Sequence, residues 1–421
     1  MLKITTVFFV LFLLISCTST KYAVLEKRID TNFKTDFYNN HFVGFLLIDP
    51  ETKDTLYNTN GQKYFTPASN TKIFTLYTAI KLLPENIPAL KYRIQNDTLF
   101  MEGTGDPSFL HPYFRDSTAI RFLKDFENIA WRGHHFHDEK FGPGWAWEDY
   151  QYYYAPERSG LPMYGNVVTL YKNDSIHVIP KYFKDQLISV AHIVHREIDR
   201  NIFYFDPLRK DTLEIPFITD STLTRKLLTN LLQKKVTLTD KMPDGEKKVL
   251  YGIPSDSIYK RMMRESDNFL AEQLLVVASS TLSDTLSGKK ARDYMLHNFL
   301  NDLRQQPRWV DGSGLSRYNL CTPESIVQLL HKLYKEVPKE RLFTFFPEWG
   351  NTGSIAPNSE DTAYIYAKSG SLSNNYCLSG YLLTKSGKTL IFSFMNNHFN
   401  KSGTAMKKEI EIILNQIRNT Y

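Results

Sequence analysis

Cysteine is scarce in this chain: Cys17, Cys321 and Cys377 are the three among 421 residues. Cys321 and Cys377 lie far apart in sequence and are too few for a disulfide framework. They read as buried, apolar-type side chains, with a single bond between them left open in an oxidising compartment. Runs of like charge are missing too. The 51 basic and 45 acidic residues are spread along the chain, and the net charge of +6 gathers into no basic tract. Nucleic acid is therefore not an expected partner. No internal repeat and no low-complexity segment is present. Only one apolar run stands out, Ile4 to Ile15, broken by Thr5 and Thr6. It follows Lys3 and is too short to cross a bilayer comfortably, so it reads as a cleaved export signal.

What is present suits a large folded core. Aromatic residues make up 14% of the chain, and the length allows two or three domains. Phe42 to Asp49 reads as a buried strand, with Asp54 to Tyr57 as its hairpin partner across a turn at Pro50 to Lys53. Beyond Pro67-Ala68, the apolar positions Ile73, Leu76, Tyr77, Ile80 and Leu83 form a helical stripe that Pro84 ends. Ser69 is thus expected at the start of a buried helix. Residues 93–240 alternate short strand-like runs with turns such as Gly103 to Pro107 and Gly142 to Gly144, and aromatics crowd Trp145 to Tyr154. This stretch reads as an inserted, mainly β module. Helices are expected over Ile258 to Ala278 and Pro323 to Tyr334. Strands are expected over Tyr364 to Ala367, Leu378 to Thr384 and Thr389 to Met395, and an amphipathic helix over Ala405 to Ile417. The expected organisation is a signal in residues 1–17 and an α/β domain formed by 22–92 and 241–421, with 93–240 inserted.

Three short polar motifs follow one another in this frame: Ser69-Asn70-Thr71-Lys72, Ser266-Asp267-Asn268 and Lys368-Ser369-Gly370. Ser-x-x-Lys on the first turn of a helix puts both side chains on one face, where the helix dipole favours a developing alkoxide. A lysine serves as base only as a free amine, which burial and a nearby cation such as Lys368 both favour. Ser69 would then attack a carbonyl, Lys72 would take its proton, and an acyl-enzyme would form. A second Ser-x-x-Lys, Ser287 to Lys290, lies in a polar turn and is set aside. Ser266 is a candidate proton relay and Asn268 a candidate amide ligand, although the triplet on its own favours a plain helix cap. Lys-Ser-Gly occurs three times. Lys385 to Gly387 reads as a hairpin turn and Lys401 to Gly403 as a loop. Only the copy at Lys368 continues an apolar strand, where Gly370 permits close backbone approach. Lys368 and Ser369 would receive a carboxylate, and the N–H groups of Ser69 and Ser371 would form an oxyanion hole.

These motifs, together with Gly105-Asp106-Pro107, Gly144 to Asp149, Tyr154-Ala155-Pro156 and Asp311 to Arg317, resemble the type-4 low-molecular-mass penicillin-binding proteins over nearly the whole chain. The resemblance implies an α/β fold of the transpeptidase and serine β-lactamase kind, with an antiparallel sheet between helices and a long insertion between the first two motifs. It implies a D-alanyl-D-alanine carboxypeptidase or endopeptidase acting on peptidoglycan stem peptides, inhibited by β-lactams and needing no cofactor. Ser69 becomes the nucleophile, Lys72 its base and Ser266 the relay. Asn268, Lys368, Ser369, Gly370 and Ser371 line the substrate. Asp149 matches an acidic residue that, in some members, lies near the amino group of the stem-peptide side chain. Ser369 stands where threonine is usual, and Glu157 to Pro162 fits the family pattern poorly. Leu14-Ile15-Ser16-Cys17 resembles the lipobox of bacterial lipoproteins. That implies lipidation of Cys17 and a periplasmic protein anchored to a membrane, the outer one where there are two.

Other readings carry less. His134, His135 and His137 lack a third placed ligand, so no metal site is expected in what reads as a strand. Tyr152 to Tyr154 reads as packing rather than a sugar platform. A serine β-lactamase and a non-catalytic wall-binding lipoprotein on the same scaffold remain as alternative functions. The long insertion argues against the first and the intact motifs against the second.

Overall fold

The strand expected at Phe42 sits near one edge of a six-stranded antiparallel sheet. A computed structural model describes residues 23–349 and 363–421, which divide into two compact units. The expected export signal and Cys17 lie outside the described residues. One unit contains the chain up to Ile73, Asp302–Trp309 and Asn319–Tyr421. Its sheet runs in the order Glu348–Trp349, Ile365–Leu372, Asn375–Leu383, Thr389–Asn397, Phe42–Ile48, Thr55–Thr59. Alternation sets its faces. Phe45, Leu47, Phe392 and Phe394 turn to one side, where Leu25 and Ile29 of the helix at 23–33 and Ile410, Ile413 and Leu414 of the helix Gly403–Thr420 meet them. Full burial of each such side chain contributes about 1.5–3 kcal/mol. On the other side lies the helix Pro323–Glu336, started by a capping box of Thr322 and Ser325 with Pro323 in the first turn. Tyr381 donates to the Leu330 carbonyl of that helix at 2.9 Å. The strand Thr389–Asn397 is accordingly buried at every position.

Cys321 and Cys377 are both buried and free, in keeping with the apolar reading. Burial pushes the Cys377 thiol up to about 12 and the Cys321 thiol well above its usual value.

The other unit contains Phe74–Asn301 and Val310–Tyr318. Its larger sheet has five strands in the order Val236–Thr239, Asn128–Arg132, Thr98–Gly103, Asn86–Gln95, Lys248–Pro254. The first two pairings are parallel and the others antiparallel. The stretch expected as a mainly β insertion contains most of these strands and two helices besides. Parallel neighbours require crossovers, and the helices Thr118–Lys124 and Ser221–Leu232 lie in the connecting segments. Both contribute to one core with the sheet. The sheet also begins before residue 93 and closes after residue 240, because Asn86–Gln95 and Lys248–Pro254 are neighbouring strands. A smaller sheet pairs Leu213–Pro216, Val167–Lys172 and Ile176–Ile179. The His134 to His137 segment is not a strand. It makes a single bridge, from Phe136 to Leu286, and His135 is buried with Nε2 2.7 Å from the Gly103 carbonyl. The helix expected from Ile258 to Ala278 is two helices, Ser255–Arg264 and Asn268–Leu282. Among the described residues, no helix is long and apolar enough to cross a membrane.

Candidate active site

Ser69 lies on a single 3₁₀ turn, Ala68–Thr71, and the α-helix begins at Lys72. The expectation that Ser69 opens the α-helix is corrected by that one turn. The helix expected to be buried is so on every side, since Thr71 to Ala79 are all buried. A helix buried on every side belongs inside a core. Ala68 holds a left-handed φ of 48°, an unfavourable conformation for a residue with a Cβ. Ser69 is half-buried and Lys72 fully buried. Lys72 Nζ is hydrogen-bonded to Ser69 Oγ at 3.0 Å.

The strand Ile365–Leu372 lies beside this turn. Lys368 is 1% exposed, and its ammonium donates to the Ser369 carbonyl at 2.8 Å. Burial, with the neighbouring Lys72 charge, holds Lys368 well below the usual lysine range. Gly370 has no side chain because there is no room for one. A Cβ there would stand 2.6 Å from the Pro67 carbonyl oxygen and 2.8 Å from the Ser69 nitrogen. Asn70, fully buried, donates from Nδ2 to the Lys368 carbonyl at 2.8 Å. The strand Glu348–Trp349 pairs with Tyr366 and Ile365 only. Among the described residues, no strand pairs with Lys368–Leu372 on that side. The first unit thus brings together Ser69, Lys72, Lys368 and Gly370, with Ser369 half-buried and Ser371 exposed beside them.

Ser266, Asn268 and Asp149 belong to the other unit. Ser266 sits between two helices with a left-handed φ of 57°. Asp267 caps the second helix by accepting from the Leu270 N–H at 3.0 Å and lies 3.4 Å from Arg261. Asn268 is the first helical residue and donates from Nδ2 to the Tyr154 carbonyl at 2.9 Å. The phenol of the same tyrosine donates to Asp149 at 2.8 Å. Burial and the Asp149 carboxylate push that phenol up. One residue, Tyr154, therefore connects Asn268 and Asp149. Nearby, Asp311 is fully buried. It accepts from the Gly314 and Ser316 N–H groups at 2.8 and 2.7 Å and from the Trp145 indole at 2.9 Å. Asp106, also buried, accepts from Ser108, and burial raises its carboxyl to about 7.

Four residues of these surroundings escaped the sequence reading: Asn70, Arg158, Glu272 and Gln273. Gln273 donates to the carbonyls of Gly105 and Ser159 and accepts from the Ser159 N–H. For Glu272 and Gln273 the available signal was a polar pair inside an otherwise apolar helix, which marks buried hydrogen bonding rather than a solvent face.

The fold formed by these elements is that of solved penicillin-binding enzymes. The structure of penicillin binding protein 4 (dacB) from Haemophilus influenzae superposes with a TM-score of 0.67 at 20% identity, covering 90% of this chain and 95% of that one. The structure of the same protein complexed with a novel β-lactam gives 0.63 at 18%. The sequence then places the chain more closely: it belongs to the D-Ala-D-Ala carboxypeptidase 3 (S13) family, whose model matches residues 25–177 and 218–420. Among curated relatives, the D-alanyl-D-alanine carboxypeptidase DacB of Haemophilus influenzae is 27% identical over 181 residues. That alignment spans 40% of this chain and 37% of DacB, well short of the relative's whole length. The D-alanyl-D-alanine carboxypeptidase of Actinomadura sp. is 22% identical, over 95% of this chain and 86% of that protein.

Proposed function

We propose that the chain is an exported serine DD-peptidase. It would cleave the D-Ala–D-Ala bond of peptidoglycan stem peptides, the D-Ala–diaminopimelate cross-link, or both. The observation that carries this reading is the 3.0 Å hydrogen bond from Lys72 to Ser69 Oγ, with Lys368 buried and shifted down nearby. Two buried amines this close do not comfortably hold two charges. A substrate's terminal carboxylate favours the ammonium on Lys368, which leaves Lys72 as the amine of the pair. Lys72 then takes the proton of Ser69 as the oxygen attacks the carbonyl carbon. The negative charge that develops on the carbonyl oxygen meets the N–H groups of Ser69 and Ser371. Ser266 relays a proton to the departing nitrogen, and Asn268 holds the substrate amide. Ser369 shares the carboxylate with Lys368, and Gly370 lets the substrate edge close on the nucleophile turn. Asp149 receives the amino group of the stem-peptide side chain. Water hydrolyses the ester and frees Ser69, and no cofactor takes part. A lipid on Cys17 anchors the enzyme at a membrane facing the periplasm, and β-lactams acylate Ser69 as substrate mimics.

The test is covalent labelling. A fluorescent penicillin should attach to the wild type and not to Ser69→Ala, and equal labelling of both would falsify the assignment. Mass spectrometry of monomeric and cross-linked muropeptides then separates release of free D-alanine from splitting of dimers. Rapid turnover of nitrocefin would instead mark a β-lactamase, and binding of muropeptides without cleavage or labelling a non-catalytic protein.

A further inference from the structure

The segment Glu157 to Pro162, which fits the family pattern poorly, contains a buried cation with three anchoring contacts. The Arg158 side chain is 4% exposed. One end of its guanidinium donates to the carbonyls of Glu139 and Phe141 at 2.8 and 2.9 Å. The other end lies 3.4 Å from Glu272 Oε2, and the group stands 5.9 Å from the Trp145 ring. Glu272 is one turn beyond Asn268 on the same helix, and its Oε1 accepts from the Ser313 N–H at 2.8 Å. Asp311, in the same loop as Ser313, accepts from the Trp145 indole. The contacts therefore close a ring: Arg158, Glu272, Ser313, Asp311, Trp145 and back to Arg158 through the loop at 139–145.

We propose that Arg158 is a positioning residue that locks the helix carrying Asn268 to the loop carrying Trp145 and Asp149. The proposal rests on the DD-peptidase reading for its activity assay but not for its structural one. A flat guanidinium fork meets two carbonyls and a carboxylate at once, in a fixed planar geometry that the point charge of a lysine does not reproduce. Glu272 faces Arg158, Arg292 and Asp311. Burial and Asp311 push its carboxyl up, and Arg158 pulls it back. Without Arg158, Glu272 would ionise beside Asp311 with less compensation, and the ring would be strained more as pH rises.

The test uses the full chain with Arg158→Met, Arg158→Lys and Arg158→Met/Glu272→Gln. Hydrogen exchange is followed in residues 139–149 and 268–272, and fluorescent-penicillin acylation is followed from about pH 6 to about pH 9. In Arg158→Met both segments should exchange faster. Acylation should fall about tenfold or more, because small misplacements cost rate steeply, and the fall should grow with pH. Adding Glu272→Gln should remove that growth with pH. Arg158→Lys should keep the pH profile of the wild type while residues 139–149 loosen, and it carries the test alone if the methionine variant does not fold. Wild-type exchange at 268–272 in Arg158→Met, unchanged exchange at 139–149 in Arg158→Lys, or a pH slope that survives in the double variant would overturn the proposal. A wild type that penicillin never labels would refute the functional reading, and hydrogen exchange would still decide the clamp.

Discussion

Gly370→Ala is the sharpest perturbation of the first unit. The new methyl carbon would meet three backbone atoms: the Pro67 oxygen at 2.6 Å, the Ser69 nitrogen at 2.8 Å and the Asn70 nitrogen at 3.0 Å. Ordinary contact begins at about 3.5 Å. Backbone atoms cannot rotate away as a side-chain tip can, so the strand and the turn of Ser69 must separate by roughly 0.9 Å at the closest point. Overpacking of this kind costs about 1–3 kcal/mol of stability. The larger effect falls on chemistry, because the same separation moves the Ser69 N–H away from the strand that carries Ser371. Displacements near 1 Å cost on the order of 10²-fold in rate, so acylation should drop by about 10- to 100-fold. The assay is the second-order rate of fluorescent-penicillin acylation, measured well below the melting temperature of each variant. Gly387→Ala is the control. Its φ of 84° makes a Cβ unfavourable, yet nothing lies within 4 Å, so it should lose about 1–2 kcal/mol from backbone strain alone and acylate normally. If Gly370→Ala acylates within about threefold of wild type, the close approach of strand and turn does not set the reaction geometry.

Lys368→Met should abolish efficient acylation yet raise the melting temperature at neutral pH. The folded-state value of Lys368 lies well below 10.5, so the unfolded chain binds this proton more tightly and stability rises with pH between the two values. Removing the group removes that slope, and a variant that melts below wild type at pH 7 would contradict it. Asp106 gives the opposite sign. Its carboxyl is raised from 3.8 to about 7, so its contribution is present at low pH and is lost as pH climbs through that window, by up to about 4 kcal/mol. The melting temperature of Asp106→Asn should gain on that of the wild type steadily from pH 4 to pH 8, and a constant difference would refute the shift. Asp267→Ala should cost about 1 kcal/mol through loss of the cap, and Asp267→Asn should recover most of it by denaturant unfolding.

Much of the first unit was legible because its signals are local. Phe42 to Ile48 alternates faces in a sheet, Pro67 precedes the turn of Ser69, and Lys368 continues an apolar strand. The second unit was harder for a physical reason. Its five-stranded sheet pairs Asn86–Gln95 with Lys248–Pro254, and no local pattern announces a partner so distant in sequence. The helix Ser221–Leu232 was legible in principle, since Asp220 caps it by accepting from the Leu223 N–H and Leu223, Leu227, Leu228 and Leu231 share a face. Dense turn signals on both sides obscured it. Arg158 and Glu272 illustrate a different limit. Each looks like a surface charge in sequence, and only the fold shows that both are buried and meet.

Ser266-Asp267-Asn268 shows why a cap and a site can be indistinguishable in sequence. The cap reading leaves room for the proposed chemical one, because Asp267 alone makes the cap. Asp267 takes the helix N-terminus. That frees Asn268, one residue later, to reach the Tyr154 carbonyl, and it stops the preceding helix so that Ser266 falls in a left-handed conformation. A serine held there costs about 1–2 kcal/mol relative to ordinary backbone. Ser266→Gly should return part of that cost as stability while removing the proposed relay hydroxyl. If Ser266→Gly is more stable and acylates more slowly, the strain serves the reaction. If it is more stable and equally fast, the break in the helix exists for the cap alone.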